Sequence, residues 1–252
     1  LKAPDHIVKN TISNIGKTLK SISQRKGLLF FILAYFCYID GVGTVIHMST
    51  SYGETLHLDS VGMILALLVT QIVAVPCSIL FGRLAQKVGS IRMIGISIGM
   101  YFLICLVGFY MGYSVEAANG AEDAIQRAEV LFWIMAAMVG MVQGGIQALS
   151  RSYFGKLIPA NKSNEYFGFF DIFGKFSAIM GPALFGGVVA WDGDWLMRRQ
   201  GIVEAEASAE TLDAIARQAS PWGVLSVLLI FLVGGALYFF VLPRVERAEK
   251  KQ

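Results

Sequence analysis

Residues 28–51 read LLFFILAYFCYIDGVGTVIHMSTS, and this stretch decides the fold class. It is longer than the ~20 apolar residues an α-helix needs to cross a hydrocarbon core, yet it holds Asp40 and His47. Five more apolar stretches follow, at 61–81, 91–112, 130–150, 166–191 and 222–242. Composition agrees: 55% of residues are hydrophobic and 15% are charged, against about 25% charged in ordinary soluble domains. The expectation is an all-α membrane protein with a bundle of six transmembrane helices over 27–242. Residues 1–26 and 243–252 are read as a cytoplasmic linker segment and a basic cytoplasmic tail.

Lys and Arg alternate in abundance with loop parity. Six precede the first stretch, and four follow the sixth. Arg83, Lys87 and Arg92 mark the second-to-third connection, and Arg151, Lys156 and Lys162 the fourth-to-fifth. The other connections hold only Arg127, Arg198, Arg199 and Arg217. The positive-inside bias then places both termini in the cytoplasm. A soluble helical domain has no reason to sort its basic residues this way. The net charge of +3 lies beside the membrane, where anionic headgroups attract it, so lipid is an expected partner and nucleic acid is not. The chain opens on Leu1 rather than Met, so an upstream piece is expected, and no cleavable signal peptide is read.

Within 5–26, Val8, Ile12, Ile15, Leu19 and Ile22 recur at helical spacing among lysines. The pattern predicts an amphipathic helix flat on the cytoplasmic interface; a solvated linker that is helical part of the time is the other reading. The connection over Glu204, Glu206, Glu210 and Asp213 reads as an exposed acidic helix.

The stretches are not equivalent. The third, after Arg92, and the sixth carry no Asp, Glu, Lys, Arg or His, so they can face lipid all round at little cost and are read as an outer wall. Polar groups in hydrocarbon are expensive, so the first, fourth and fifth must border something polar. On the first, Cys37, Asp40, Thr44, His47 and Ser51 fall on one helical face, with Asp40 roughly 18 Å along the axis and so near mid-membrane. Asp40 either meets a substrate amine, a coupling cation or a proton, or it serves as an interhelical hydrogen bond or as a partner for Lys175 or Arg151. On the fourth, Gln143, Gln147 and Arg151 step by four. The amides suit recognition of a polar solute or the joining of helices, and Arg151 suits a gate or a snorkel to the headgroups. On the fifth, Asp171 and Lys175 read as an intramembrane i, i+4 ion pair, structural first, with a gate as the other reading. Gly181-Pro182 supplies a kink.

Cys37, Cys77 and Cys105 lie inside the stretches without metal-ligand spacing, and His6, His47 and His57 are scattered. No Ser–His–Asp, His-Glu-x-x-His or paired-Asp pattern occurs, so no catalytic residue, metal or cofactor is expected, and an enzyme is not. A transporter fits these features; a non-transporting membrane sensor or assembly scaffold is the alternative, and would need no continuous wet cavity.

Two runs carry a resemblance. Gly82-Arg83-Leu84-Ala85-Gln86-Lys87-Val88-Gly89-Ser90-Ile91-Arg92, read as a tight basic turn, resembles the loop motif Gly-x-Leu-Ala-Asp-Arg-x-Gly-Arg of the major facilitator superfamily. Gln86 stands where that motif has Asp, and Lys87 where it has Arg. The second run is Gln143-Gly144-Gly145-Ile146-Gln147-Ala148-Leu149-Ser150-Arg151-Ser152, followed by Ile158-Pro159, Glu165-Tyr166-Phe167-Gly168-Phe169-Phe170 and Gly181-Pro182. With Tyr38-Ile39-Asp40-Gly41-Val42, it resembles the vacuolar-effluxer-like (autophagy-related permease) branch, over roughly 27–242. The resemblance implies a secondary transporter working by alternating access on small polar solutes, with amino acids the candidates because eukaryotic members are linked to their export from the vacuole. It implies the C-terminal half of a twelve-helix protein, with the N-terminal six-helix half as partner and a proton or another cation as coupling candidate. Many members are bacterial, which implies the bacterial cytoplasmic membrane. On this reading Asp40, Thr44, His47, Gln143 and Gln147 line the cavity, while Gly82, Arg83, Gly89 and Arg151 form a cytoplasmic gate or hinge.

Overall fold

The computed structural model describes residues 21–243. The amphipathic segment and the basic tail therefore lie outside the described residues, except for the segment's last turn. There Ser21–Gln24 are helical, Ile22 is buried, and the Ser21 and Tyr166 hydroxyls hydrogen-bond at 2.7 Å.

Six helices follow, and each is long and apolar enough to cross a membrane: α1 Lys26–Thr55, α2 Ser60–Val88, α3 Ser90–Ala117, α4 Glu122–Leu157, α5 Ser163–Gln200 and α6 Ala209–Ala236. Local chemistry sets several of the ends. The Asp59 carboxylate accepts the Gly62 N–H at 2.6 Å to start α2, and the Ser208 hydroxyl accepts the Thr211 N–H at 3.2 Å to start α6. One residue, Gly89, separates α2 from α3. Its φ of 98° and ψ of 141° are closed to side chains that carry a Cβ, so only glycine makes this turn without strain. Helices α4 and α5 have 36 and 38 residues, roughly 54 and 57 Å at 1.5 Å per residue, so both project beyond a ~30 Å hydrocarbon core.

The packing repeats itself. Helix α1 packs against α5 and α6 much as α4 packs against α2 and α3, and α3 and α6 meet between them. This is the internal three-plus-three symmetry seen in the halves of secondary transporters. Helix α6 also packs along α5, whereas α4 and α5 share no extended contact, so a cleft opens where α1, α4 and α5 converge.

Three expectations are corrected. Helices α3 and α6 are not an outer wall exposed on every side: about half of each apolar window is buried, while Ile96, Leu103, Leu229 and Val233 leave one face exposed, and the most exposed helices are α2 and α5. Those two lie on the flanks with few neighbours, so Ile64, Leu68, Ile72, Phe176 and Ile179 point outward. Second, the basic run from Gly82 is not a turn. Helix α2 continues through Arg83 and Lys87 to Val88, and Gly89 alone reverses the chain. Third, the acidic residues do not form a helix of their own: Glu204–Glu206 make a single 3-10 turn, and Glu210 and Asp213 belong to the first turns of α6.

Candidate transport cavity

The cleft is a cavity of about 760 Å³. From α1 it is fronted by Tyr35, Ile39, Val42, Gly43, Ile46 and His47. These positions form a single helical stripe, and Gly43 leaves that wall without bulk. Helix α4 contributes Gln147, Ala148 and Arg151, and α5 contributes Phe170, Asp171, Lys175 and Ala178.

At the end of the cleft near the basic loops an ion pair crosses from α4 to α5. Arg151 Nη1 donates to Asp171 Oδ1 at 2.8 Å, and Nη2 to Oδ2 at 3.4 Å, so the guanidinium clasps the carboxylate from across α4 and α5. The Arg151 Cζ also lies 5.2 Å from the centre of the Phe167 ring, where the π-face attracts a cation. Beneath this pair, Tyr35 stacks on Phe170 at 4.0 Å and Phe170 on Phe154 at 4.3 Å. The buried Tyr38 hydroxyl hydrogen-bonds the Ser150 hydroxyl at 2.7 Å, joining α1 to α4. Ion pair, aromatic stack and hydroxyl pair together make a floor.

The ion pair differs from the one read along α5. Asp171 is paired with Arg151, not with Lys175, because a guanidinium offers two parallel donors matched to a carboxylate and the fold sets it across the cleft. Lys175 is exposed to the cavity and makes no ion pair among the described residues.

The five residues read as one cavity-lining set separate into three places. His47 and Gln147 line the large cavity. Gln143 is buried against α2, its amide 3.5 Å from the Gln71 side-chain oxygen, at the long limit of a hydrogen bond. Asp40 and Thr44 do not front the large cavity. Asp40 is 4% exposed, and its Oδ1 accepts the Gly181 N–H at 2.7 Å. The Thr44 hydroxyl donates to the Asp40 carbonyl at 2.7 Å. The physical reason is rotation. One residue turns a helix by roughly 100°, so the Asp40 stripe faces the α5 joint while its neighbour Ile39 faces the cleft.

Of the expected gate residues, Arg151 is in the floor, whereas Gly82 and Arg83 are exposed on the last turns of α2 and Gly89 makes the α2–α3 turn. Sequence reasoning passed over Tyr35, Ser150, Phe170 and Gln71. Tyr35 could have been found from its place four residues before Ile39, on the stripe that includes Gly43. Phe170 and Ser150 lie inside the quoted motif runs but carry no charge to mark them. Among the described residues no group of His, Cys, Asp and Glu could hold a metal ion.

A six-helix bundle with internal three-plus-three packing and a polar cleft belongs to the major-facilitator type of membrane transporter. Residues 1–195 match the family described as "Vacuole effluxer Atg22 like", and the chain belongs to that family. It is 46% identical over 184 residues to the uncharacterized MFS-type transporter YxiO of Bacillus subtilis (strain 168), a match covering 73% of this chain and 40% of that protein. It is 26% identical over 180 residues to autophagy-related protein 22-1 of Emericella nidulans, covering 69% of this chain and 30% of the relative. The match to autophagy-related protein 22 of Eremothecium gossypii is again 26%, over 174 residues, covering 69% and 34%. The chain thus spans well under half the length of these relatives. No solved structure matches. The protein is an integral membrane member of a transporter family, not an enzyme.

Proposed function

We propose that this chain is the C-terminal half of a twelve-helix permease that moves small polar solutes, amino acids among them, by alternating access. The observation that carries the reading is the cavity of about 760 Å³ in which His47, Gln147, Arg151, Asp171 and Lys175 gather within membrane-spanning helices. A charged side chain at the centre of a lipid-facing helix costs at least about 2.5–3.5 kcal/mol, so such a group is retained where water or a solute solvates it. The N-terminal six-helix half would supply the opposite wall, and rocking of the two halves would open the site to each side in turn. Family membership and the likeness to autophagy-related protein 22 support efflux of solutes of this class.

In this scheme residues 27–242 form the membrane unit, 1–26 the end of a central loop and 243–252 a tail. The loop parity of Lys and Arg supports a cytoplasmic position for both termini and for the Arg151–Asp171 floor, and the likeness to the Bacillus subtilis relative supports a bacterial membrane. Arg151 and Asp171 act as the inner gate, and Gly82, Arg83 and Gly89 as the hinge beside it. Asp40, held with Thr44 against Gly181 beside Pro182, is where a coupling proton or cation would act. Gln143 braces α4 on α2 behind the solute site.

Counterflow of radiolabelled amino acids in liposomes tests this reading. The complete protein is expected to exchange at least one of them, and Gln147→Leu to lower that exchange about tenfold through loss of one solute hydrogen bond and its partner's desolvation. Monomers of the 252-residue chain alone should give no flux. Robust flux from those monomers would overturn the half-transporter reading, and no exchange by the complete protein would overturn the amino-acid reading.

A further inference from the structure

The charges of the cavity do not balance. Two side chains along its wall are strong cations, Arg151 and Lys175, and one is an anion, Asp171. The Arg151 guanidinium uses two of its N–H groups on the two Asp171 oxygens, so that carboxylate is already matched. His47, at the far end of the stripe, adds no negative charge. Asp40, the other acid of α1, faces away from the cleft and is engaged by the Gly181 amide. Lys175 is left with three donors and no carboxylate among the described residues.

Its depth makes this surplus consequential. Lys175 is nine residues into the stretch that begins at Tyr166, roughly 14 Å along the axis and close to the midplane of a ~30 Å core. A cation there, in a cleft with low-dielectric walls, focuses a positive potential onto whatever enters. Asp171, one turn before it on α5, is engaged by Arg151, and the rest of the cleft lining on α4 and α5 around it, Gln147, Ala148, Gly174 and Ala178, is uncharged. The amide of Gln147 can orient a polar group but cannot neutralise the ammonium.

From this we infer that the cavity selects small organic anions, solutes carrying a carboxylate or sulfonate, and that Lys175 is their counter-ion. The inference rests on the permease reading and narrows its substrate class to solutes with a free acidic group. The Arg151–Asp171 pair is the floor on which such a solute rests, not its binding partner. Gln147, across the cleft on α4, supplies the neutral hydrogen bond that fixes its orientation.

The test reads the sign of the field at the site. In the complete protein with native cysteines replaced, Ala178→Cys puts a thiol one turn from Lys175 on the cavity wall. Its reaction rate is measured with two methanethiosulfonates of similar size, one bearing a sulfonate and the other a trimethylammonium. Relative to a free thiol in solution, the anionic reagent should be favoured about tenfold. Lys175→Gln should remove most of that preference, and Lys175→Arg should keep it; Lys175→Met gives the same reading if the Gln variant does not yield monodisperse protein. A preference for the cationic reagent, or a ratio unchanged by removing the Lys175 charge, overturns the inference. With Lys175 in place, amino-acid counterflow without an anionic preference at the introduced thiol would sink this inference alone, whereas an anionic preference that Lys175→Gln abolishes, without counterflow, would sink the amino-acid reading and leave the anion site standing.

Discussion

Asp40 on α1 accepts the backbone N–H of Gly181 on α5 at 2.7 Å, one residue before Pro182. A side chain far from Gly181 in sequence thus engages α5 where its own helical ladder is interrupted, since Pro182 has no N–H and its ring crowds the preceding turn. The two helices meet closely enough that Gly181 cannot carry a side chain: a Cβ would lie 2.8 Å from Asp40 Oδ1 and closer still to the Thr44 hydroxyl.

Gly181→Ala should therefore separate α1 from α5. Overpacking of this kind costs typically about 1–3 kcal/mol. The expected outcome is a lower thermal unfolding midpoint in detergent. Thr44→Ala, which removes the nearest atom, should recover part of the loss when combined with it. A cycle in which the two changes simply add would mean that the contact does not limit the approach of the helices.

Replacement of Asp40 should divide by hydrogen-bonding capacity. Asp40→Asn keeps a carbonyl oxygen that can accept from Gly181, so folding is expected to survive with a small change in midpoint. Asp40→Leu leaves the buried N–H with no acceptor, and a penalty of about 1–3 kcal/mol follows. Equal midpoints for the two variants would show that the amide finds another partner. If Asp40 also takes part in coupling, the Asn variant will keep its fold and lose the dependence of flux on the driving gradient.

The Arg151–Asp171 pair should be weak in stability and strong in transport. Its side chains are 55% and 46% exposed, and exposed pairs contribute about 0.2–1 kcal/mol in double-mutant cycles. Asp171→Asn and Arg151→Gln are each expected to leave the unfolding midpoint nearly unchanged. As a gate, though, the pair must break and remake in every cycle, so either variant should change the exchange rate of the complete protein several-fold. A large stability coupling with unchanged exchange would make the pair a structural clasp.

The number and order of the helices were legible because a long apolar run bounded by charge has few other fates in a membrane. The stretch at 28–51 became Lys26–Thr55, while α4 runs about two turns past its apolar stretch at each end and α6 begins more than three turns before its own. The facing of α1 was not legible. Cys37, Asp40 and Thr44 form a polar stripe, and a polar stripe reads as a wet surface when the neighbours are unknown. In the fold Asp40 is satisfied by the Gly181 amide instead, and no pattern within α1 announces a backbone donor on another helix. The partner of Asp171 was hidden for a similar reason. Helical spacing brings Lys175 forward, whereas Arg151 is twenty residues away and reaches the carboxylate only because α4 and α5 lean together at the basic end. Grouping Gln147 and His47 needed only the rule that costly polar groups seek one another in lipid, and both do line the cleft.

Tyr101, in the middle of α3, offers a change that should strengthen the protein. It is fully buried, its ring stacks on Phe231 at 5.4 Å, and its hydroxyl has no hydrogen-bond partner among the described residues. The ring's packing is favourable, but the hydroxyl has been removed from water with nothing in return. Tyr101→Phe keeps the stack and deletes the unmatched group, so the fold should gain on the order of 1 kcal/mol. The check is the unfolding midpoint in detergent: it should rise for Tyr101→Phe and fall for Tyr101→Leu, which loses the ring. A fall with the Phe variant would show that the hydroxyl bonds a group outside the described residues, and the obvious place to look would then be a water held between α3 and α6.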